Sequence, residues 1–224
     1  MILVVPFTLP AYGQEELWKE SNDKAKKLYE QGQYSEGANL AKEALKVAEE
    51  TFGSDNRNYA ISLNDLGVFY LVQGKYTEVE TYLKRALEIR EKVLGPDHQD
   101  VAETLNNLAF LYLYQGKHDE VEPFLKRSLA TYEKALGKDH PDVAVSLNNL
   151  AEIYRLQGKY VEAKPLYKRV LKIREKAFGK YHPDVAQSMS NLACLYYAQG
   201  KYDKAESHFK RALEIGDFIY LKTI

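Results

Sequence analysis

The sequence predicts an all-α protein, an α-solenoid of five helix-turn-helix units with about ten helices. The tripeptide Gln-Gly-Lys recurs at residues 73–75, 115–117, 157–159 and 199–201, a constant spacing of 42 residues. Gln31-Gly32-Gln33 lies another 42 residues upstream. A fixed period of this kind is typical of architectures in which each repeat is one supersecondary unit. Residues 14–224 are therefore interpreted as a single array, with approximate repeats 15–56, 57–98, 99–140, 141–182 and 183–224.

The third repeat shows why each unit is predicted to be a pair of helices. Leu105, Leu108 and Tyr112 recur at helical spacing over about residues 100–115 and form one apolar stripe. Gly116 interrupts this pattern, and a second helix is expected over about 118–136. Gly137 then supplies the left-handed residue that ends it. The buried side of the second helix carries Val121, Phe124, Leu125, Leu129, Tyr132 and Leu136. One pair cannot bury its own stripe, so the core is expected between stacked units.

Charge and composition exclude several partners. The net charge is −1, with 28% charged residues, so no global field attracts nucleic acid or an anionic membrane. Lys-Arg pairs recur on the second helices, but they are interleaved with glutamates, which indicates a solvated face. Four pairs in the favourable i,i+4 order are expected to add about 0.3 kcal/mol each. These pairs are Glu80–Lys84, Glu88–Lys92, Glu122–Lys126 and Glu206–Lys210.

No motif indicates an enzyme, a cofactor or a metal site. His98, His140 and His182 recur at the ends of linkers just before a helix starts, where capping is the expected role and zinc binding is not. Cys194 is the only cysteine, which excludes an internal disulfide framework, and it is expected to be a packed or groove-lining thiol. No phosphate-binding glycine loop, serine elbow or paired-carboxylate motif is present.

The first 13 residues differ from the rest of the chain. Residues 1–13 are apolar and uncharged, and Ala11 and Gly13 provide the small residues of a cleavage site. This pattern predicts the end of a signal peptide, and hence export to a periplasmic or secreted location, although the basic start of such a signal is missing. The alternative is an apolar arm packed on the first repeat of a cytoplasmic protein. No segment is predicted to span a bilayer, which takes about 20 apolar residues.

The repeated residues resemble the tetratricopeptide repeat, whose first helix reads Trp-x2-Leu-Gly-x2-Tyr. The corresponding residues here are Leu63-x2-Leu66-Gly67-x2-Tyr70 and Leu105-x2-Leu108-Ala109-x2-Tyr112, with two further copies ending at Tyr154 and Tyr196. The longer unit, with its Gly-x-x-His-Pro-Asp linker, is similar to the kinesin light chain type of repeat, which also occurs in bacterial proteins. The resemblance implies a right-handed solenoid that acts as a non-catalytic scaffold for a protein or peptide ligand.

The resemblance also implies that the first helices line a concave groove. The candidate groove residues are those opposite the apolar stripe of each first helix, together with their flanking neighbours. Most are asparagines, whose carboxamides donate and accept at once and can pair with the main chain of an extended peptide. Aromatic and aliphatic neighbours can form pockets for its side chains. The candidate residues are Asn64, Asn106, Asn107, Phe110, Tyr114, Asn148, Asn149, Arg155, Asn191 and Tyr197.

An internal role for the asparagines is the alternative. The flanking Asn64, Asn106 and Asn148 are equally consistent with hydrogen bonds between helices of the array, and the same role stays open for the others. The acidic Asp65, Glu103 and Glu152 disfavour the acidic tail of a chaperone as the ligand, since that ligand needs converging basic residues.

Both ends depart from the repeat. In the first unit Ser21 and Lys24 replace apolar residues, while Trp18, Ala25 and Leu28 remain in phase. At the other end, residues 216–224 lack the usual polar continuation, so the last repeat is expected to expose apolar surface. That surface predicts a second possible function, self-association through residues 216–224 into a homo-oligomer. The alternative is that this tail folds back on the fifth helix pair.

Overall fold

The computed structural model describes residues 11–222, and all regular secondary structure in that range is α-helical. The predicted all-α class is confirmed, and the two helices of the third repeat begin and end within one residue of the expected positions. The ten helices described are α1 (Ala11–Glu30), α2 (Tyr34–Phe52), α3 (Arg57–Val72), α4 (Tyr76–Leu94), α5 (Gln99–Tyr114), α6 (His118–Leu136), α7 (Pro141–Leu156), α8 (Tyr160–Phe178), α9 (Pro183–Ala198) and α10 (Tyr202–Lys222).

Glycines and histidines set the helix boundaries. Gly116 in the turn after α5 has φ 73°, and Gly137 after α6 has φ 86°, conformations that cost little only for glycine. The imidazole Nδ1 of His98 accepts a hydrogen bond from the Asp100 amide at 3.1 Å. His140 and His182 accept the equivalent bonds, each at 3.2 Å, from residues two positions further on. The predicted capping role of these histidines is therefore confirmed.

The chain divides into two compact units, one ending at Lys117 and the other beginning at His118. In the first unit α3 packs against α2 and α4, and α5 packs against α4. In the second unit α7 packs against α6 and α8, and α9 packs against α8 and α10. A first helix therefore contacts the second helix of the preceding repeat, which is how the apolar stripe is covered. Leu105, Leu108 and Tyr112 are buried by this arrangement.

The first repeat is closed on its outer side by polar residues. Trp18, Ala25 and Leu28 are buried, as their phase predicts, and Lys24 is exposed. The indole Nε1 of Trp18 donates to Ser62 Oγ at 2.8 Å, which ties α1 to α3. The described part of α1 starts at Ala11, inside the predicted 1–13 segment. Residues 1–10 lie outside the described range, so the signal-peptide and apolar-arm interpretations both stay predictions.

The last helix does not follow the alternative in which the tail folds back. Helix α10 continues without interruption through residues 216–222. Phe218 on this extension lies against Tyr181, with 4.2 Å between the ring centroids. Gly216 and Asp217 do not favour a helix, so this tertiary contact helps to hold the extension in helical form. The predicted exposed apolar surface is present beside it, since Leu213 is 68% exposed.

Three of the four predicted helical ion pairs are formed. Lys84, Lys126 and Lys210 lie 2.6–2.7 Å from Glu80, Glu122 and Glu206. The predicted Glu88–Lys92 pair is wrong, because each partner has a nearer alternative. Glu88 binds Arg85 at 2.8 Å, and Lys92 binds Asp55 of the preceding linker at 2.6 Å. Within residues 11–222, no helix is long and apolar enough to cross a membrane.

Candidate binding face

The candidate residues lie on α3 and α5 of the first unit and on α7 and α9 of the second. We call this side of the first helices the first-helix face, and we describe it unit by unit. In the first unit Tyr114 is 60% exposed and stacks on Tyr76, with 6.1 Å between ring centroids. Phe110 and Asn107 are half-buried. Asn64 and Asn106 are buried, so the accessible part of the face in this unit consists of Asn107 and the two aromatic residues.

An amide bond joins α3 to α5 in the first unit. Asn107 Nδ2 donates to Asn64 Oδ1 at 3.0 Å, and Asn64 Nδ2 lies 3.5 Å from Glu103 Oε1. Asn64 thus performs the internal role that the sequence left open. Asn107 retains its carbonyl oxygen and one N–H, enough to donate to and accept from a peptide main chain.

The second unit contains the equivalent bond, two repeats further along the chain. Asn191 Nδ2 donates to Asn148 Oδ1 at 2.6 Å, joining α7 to α9. Gln187 Nε2 donates to Asn191 Oδ1 at 2.9 Å, which engages that oxygen as well. Asn148 and Asn191 are therefore largely committed to contacts within the unit.

In the second unit, Asn149 has an unpaired amide and Tyr197 has an exposed ring. The Asn149 Nδ2 atom is buried and makes no hydrogen bond to any described residue. An unpaired buried amide carries a desolvation cost of about 1–3 kcal/mol. Tyr197 is 63% exposed, and its ring meets Tyr202 edge-on at 5.4 Å.

Arg155 is held by its own helix. Its Nε and Nη2 atoms bind the two carboxylate oxygens of Glu152 at 2.9 and 2.5 Å. The hydroxyl of buried Tyr167 donates to the same carboxylate at 2.5 Å. Hydrogen bonding to Arg155 lowers the pKa of Glu152, while burial and this carboxylate raise the pKa of Tyr167. This arrangement fixes Arg155 and Glu152 as a neutral pair, so Arg155 is poorly placed to bind a ligand carboxylate by itself.

A half-buried carboxylate lies on the first-helix face of the first unit. Asp65 occupies the repeat position that Asn107 occupies on α5, and its side chain is 18% exposed. Its Oδ2 makes no hydrogen bond among the described residues, and Lys26 Nζ lies 3.9 Å away. Burial raises the pKa of Asp65 to about 6, and the nearby Lys26 only partly offsets this effect. In the folded state Asp65 therefore gains its proton as the pH falls through about 6.

Sequence reasoning missed a buried arginine that anchors this region. Arg90 on α4 is 2% exposed, although it belongs to an Arg-Glu-Lys run that reads as solvent-facing. Its Nη1 atom donates to the Asp100 carbonyl at 2.6 Å, to Thr104 Oγ1 at 2.7 Å and to Glu103 at 3.0 Å. Arg174 on α8 makes the equivalent bonds to the Asp184 carbonyl and to Ser188. The available signal was spacing, because Leu83, Ala86 and Arg90 share one helical face.

The remaining candidates for chemistry have ordinary positions. Cys194 is exposed and unpaired. Among the described residues, no three His, Cys, Asp or Glu side chains come together as a group that could hold a metal ion.

Stacked helix pairs, with amides and aromatic rings displayed along the first helices, define a helical-repeat scaffold of the protein-interaction class. The chain belongs to the tetratricopeptide repeat family. One model of this repeat matches residues 60–134, 122–176 and 142–216, and a second matches residues 22–92. Members of this family are in general non-catalytic scaffolds that bind protein partners.

Solved structures show the same fold. The nearly identical TPR-like repeats of a putative kinesin light chain from Podosopora anserina are 25% identical, with a TM-score of 0.72 over 88% of this chain and 93% of that one. BtubC (BKLC) from P. vanneervenii is 23% identical, with a TM-score of 0.75 over 94% and 91%. A Rap protein solved in complex with competence and sporulation factor is 19% identical, with a TM-score of 0.76 over 96% and 58%. No curated protein matches the sequence.

The raised pKa of Asp65 predicts a stability difference that depends on pH. The folded state holds the proton up to about pH 6, whereas the unfolded chain releases it near pH 3.8. The proton therefore favours folding below that range, and the advantage is lost as pH rises through 6. Asp65→Asn removes the titration, so its free energy of unfolding should rise relative to the wild type by about 2 kcal/mol between pH 4 and pH 7. Chemical denaturation at the two pH values measures this.

Asp23→Asn is the matched control. Asp23 occupies the equivalent position of the first repeat and is exposed. The same pH-dependent gain in both variants, or no gain in Asp65→Asn, would contradict the raised pKa of Asp65.

Proposed function

We propose that this chain is a non-catalytic scaffold that binds an extended segment of a partner protein along the first-helix face. The observation that carries the proposal is the exposure of Tyr114 and Tyr197, at 60% and 63%, on helices whose opposite side is fully packed. Large exposed aromatic rings and carboxamides on the same helices can provide both parts of peptide recognition. Tyrosine supplies much contact area at a small entropic cost, and it is frequent among residues that dominate binding energy.

The polar part of the interaction falls to the amides that still have free bonding capacity. Asn107 keeps an acceptor and a donor after bonding Asn64, and Asn149 keeps a buried donor. Carboxamides that pair with a main chain recognise an extended conformation, whatever its sequence. Asn64 and Asn148 support the proposal indirectly, since their bonds hold adjacent first helices in register.

Alanine variants test this face one unit at a time. A displayed library of random peptides supplies ligands, and fluorescence anisotropy of the selected peptides measures affinity. Tyr114→Ala, Asn149→Ala and Tyr197→Ala are each expected to weaken binding by about tenfold, which corresponds to about 1.4 kcal/mol.

Asn39→Ala and Val161→Ala change exposed residues of the second helices α2 and α8 and should bind as the wild type does. Unchanged affinity in all three face variants, with folded circular dichroism spectra, would exclude the face. Failure of the library to yield any ligand would count against the function itself.

A second candidate function is self-association through the terminal face, which we define as the exposed side of α9 and α10. A cavity of about 1040 Å³ lies there. Phe209 is 42% exposed, whereas Tyr167, at the same repeat position on α8, is fully buried by the helices that follow it. The outer side of α1 carries exposed Glu20, Lys24 and Lys27, which fit an apolar surface poorly. Two terminal faces therefore complement each other better than a head-to-tail stack does.

Sedimentation of charged variants tests this second function. Leu213→Glu places a carboxylate in the terminal face and should shift a dimer to monomer, because burying an unpaired charge is costly. Val161→Glu makes the same change at an exposed position of α8 and should not alter the sedimentation coefficient. A monomer in the wild type at every concentration measured would rule out self-association.

A further inference from the structure

A glutamate on a second helix is enclosed by residues of the next repeat. The carboxylate of Glu80 on α4 accepts a hydrogen bond from Tyr112 Oη at 3.3 Å and lies 2.7 Å from Lys84 Nζ. Lys117, the lysine of the Gln-Gly-Lys turn, lies 3.9 Å from the same carboxylate and 5.0 Å from the centre of the Tyr112 ring. One tyrosine and two lysines thus form a site for an internal carboxylate.

The second unit builds the same site from the same repeat positions. Glu122 on α6 accepts from Tyr154 Oη at 3.0 Å and lies 2.7 Å from Lys126 Nζ. Lys159 Nζ lies 3.7 Å from this carboxylate and 5.6 Å from the centre of the Tyr154 ring. Hydrogen bonding to the i+4 lysine lowers the pKa of both glutamates, so each site holds an ionised carboxylate. The arrangement is therefore a property of the repeat.

One period later the charge at the glutamate position is reversed. Lys164 stands where Glu80 and Glu122 stand, while Lys168, Tyr196 and Lys201 keep the other three positions. Lys164 Nζ lies 5.7 Å and Lys204 Nζ 6.0 Å from the centre of the Tyr196 ring. We define the basic junction as Tyr196 together with Lys164, Lys168, Lys201 and Lys204.

The basic junction lacks an internal anion. Within residues 11–222, none of its four lysines forms an ion pair, and Lys201 donates instead to the neutral Gln199 side chain at 2.7 Å. Glu206 on α10 occupies the same repeat position as Glu80 and Glu122, and its carboxylate lies 2.6 Å from Lys210 Nζ. His208 packs its ring 5.1 Å from that of Tyr196 and adds no negative charge. Two ammonium groups, those of Lys164 and Lys204, thus lie near the Tyr196 ring, and an added carboxylate would relieve the repulsion between them.

We propose that the basic junction binds a carboxylate side chain from an acidic segment of a partner protein. The partner's carboxylate takes the place that Glu80 and Glu122 occupy at the other two junctions, accepting from Tyr196 and pairing with the surrounding lysines. A carboxylate is favoured over a phosphate because the same side-chain positions enclose a carboxylate twice in this chain. The site contains no residue of the first-helix face, so it is a second docking point, independent of the groove function.

Charge restoration at residue 164 tests the proposal. The probe is a short fluorescein-labelled polyglutamate peptide, with polyglutamine as its neutral counterpart, and binding is measured by anisotropy at low and high salt. The wild type should bind polyglutamate in a salt-dependent manner. Lys164→Glu supplies the internal carboxylate and should weaken binding by about tenfold, and Lys164→Gln by less.

Lys172→Glu is the matched control, because it makes the same charge change at an exposed position of α8 outside the junction. Glu122→Lys provides the converse test, since it should convert an internal carboxylate site into a second basic junction and raise the stoichiometry from one peptide to two. Equal weakening in Lys164→Glu and Lys172→Glu would overturn the proposal, as would equal binding of polyglutamine. Stronger competition by inorganic phosphate than by acetate would overturn the assignment to a carboxylate.

Discussion

The structure depends on one recurring contact, a first helix packed against the second helix of the repeat before it. A single helix pair leaves its stripe of leucines and tyrosines half-covered, so stability in this architecture is largely a nearest-neighbour property. Polar bonds across the same contact fix its register. Arg90 and Arg174 each reach from a second helix to a backbone carbonyl of the following first helix. The Tyr112–Glu80 and Tyr154–Glu122 bonds cross it near the turns.

These cross-repeat bonds determine which side chains remain available for a ligand. Of the asparagines on the first helices, Asn64 and Asn148 are committed to neighbouring first helices, whereas Asn107 and Asn149 keep free bonding capacity. The lysines near the turns likewise differ in whether they have a partner within the chain. Where a glutamate is present it pairs with the lysines, and where Lys164 replaces it the lysines form no ion pair among the described residues. We therefore expect ligand binding at positions where a side chain lacks the hydrogen bond or ion pair that the equivalent residue forms in another repeat.

Most of the fold could be predicted from the sequence, because periodicity, turn glycines and capping histidines act over a few residues. The buried stripe followed from the same periodicity, as Leu105 and Tyr112 illustrate. The partners of polar side chains could not be predicted in this way. Asn107 and Asn64 are 43 residues apart, and only the stacking geometry decides whether they meet. Arg90 was missed because its sequence neighbours are charged, and Lys92 paired with Asp55 because a linker carboxylate lay nearer than Glu88.

Amide hydrogen exchange of the Arg90→Ala variant tests the central claim most directly. Removing this guanidinium leaves the Asp100 carbonyl and Thr104 without their donor from α4. Protection is then expected to fall in α5, across the repeat boundary, while the amides of α1 and α2 exchange as in the wild type. Unchanged protection in α5, or a loss confined to α4, would contradict the view that each first helix is held by the repeat that precedes it.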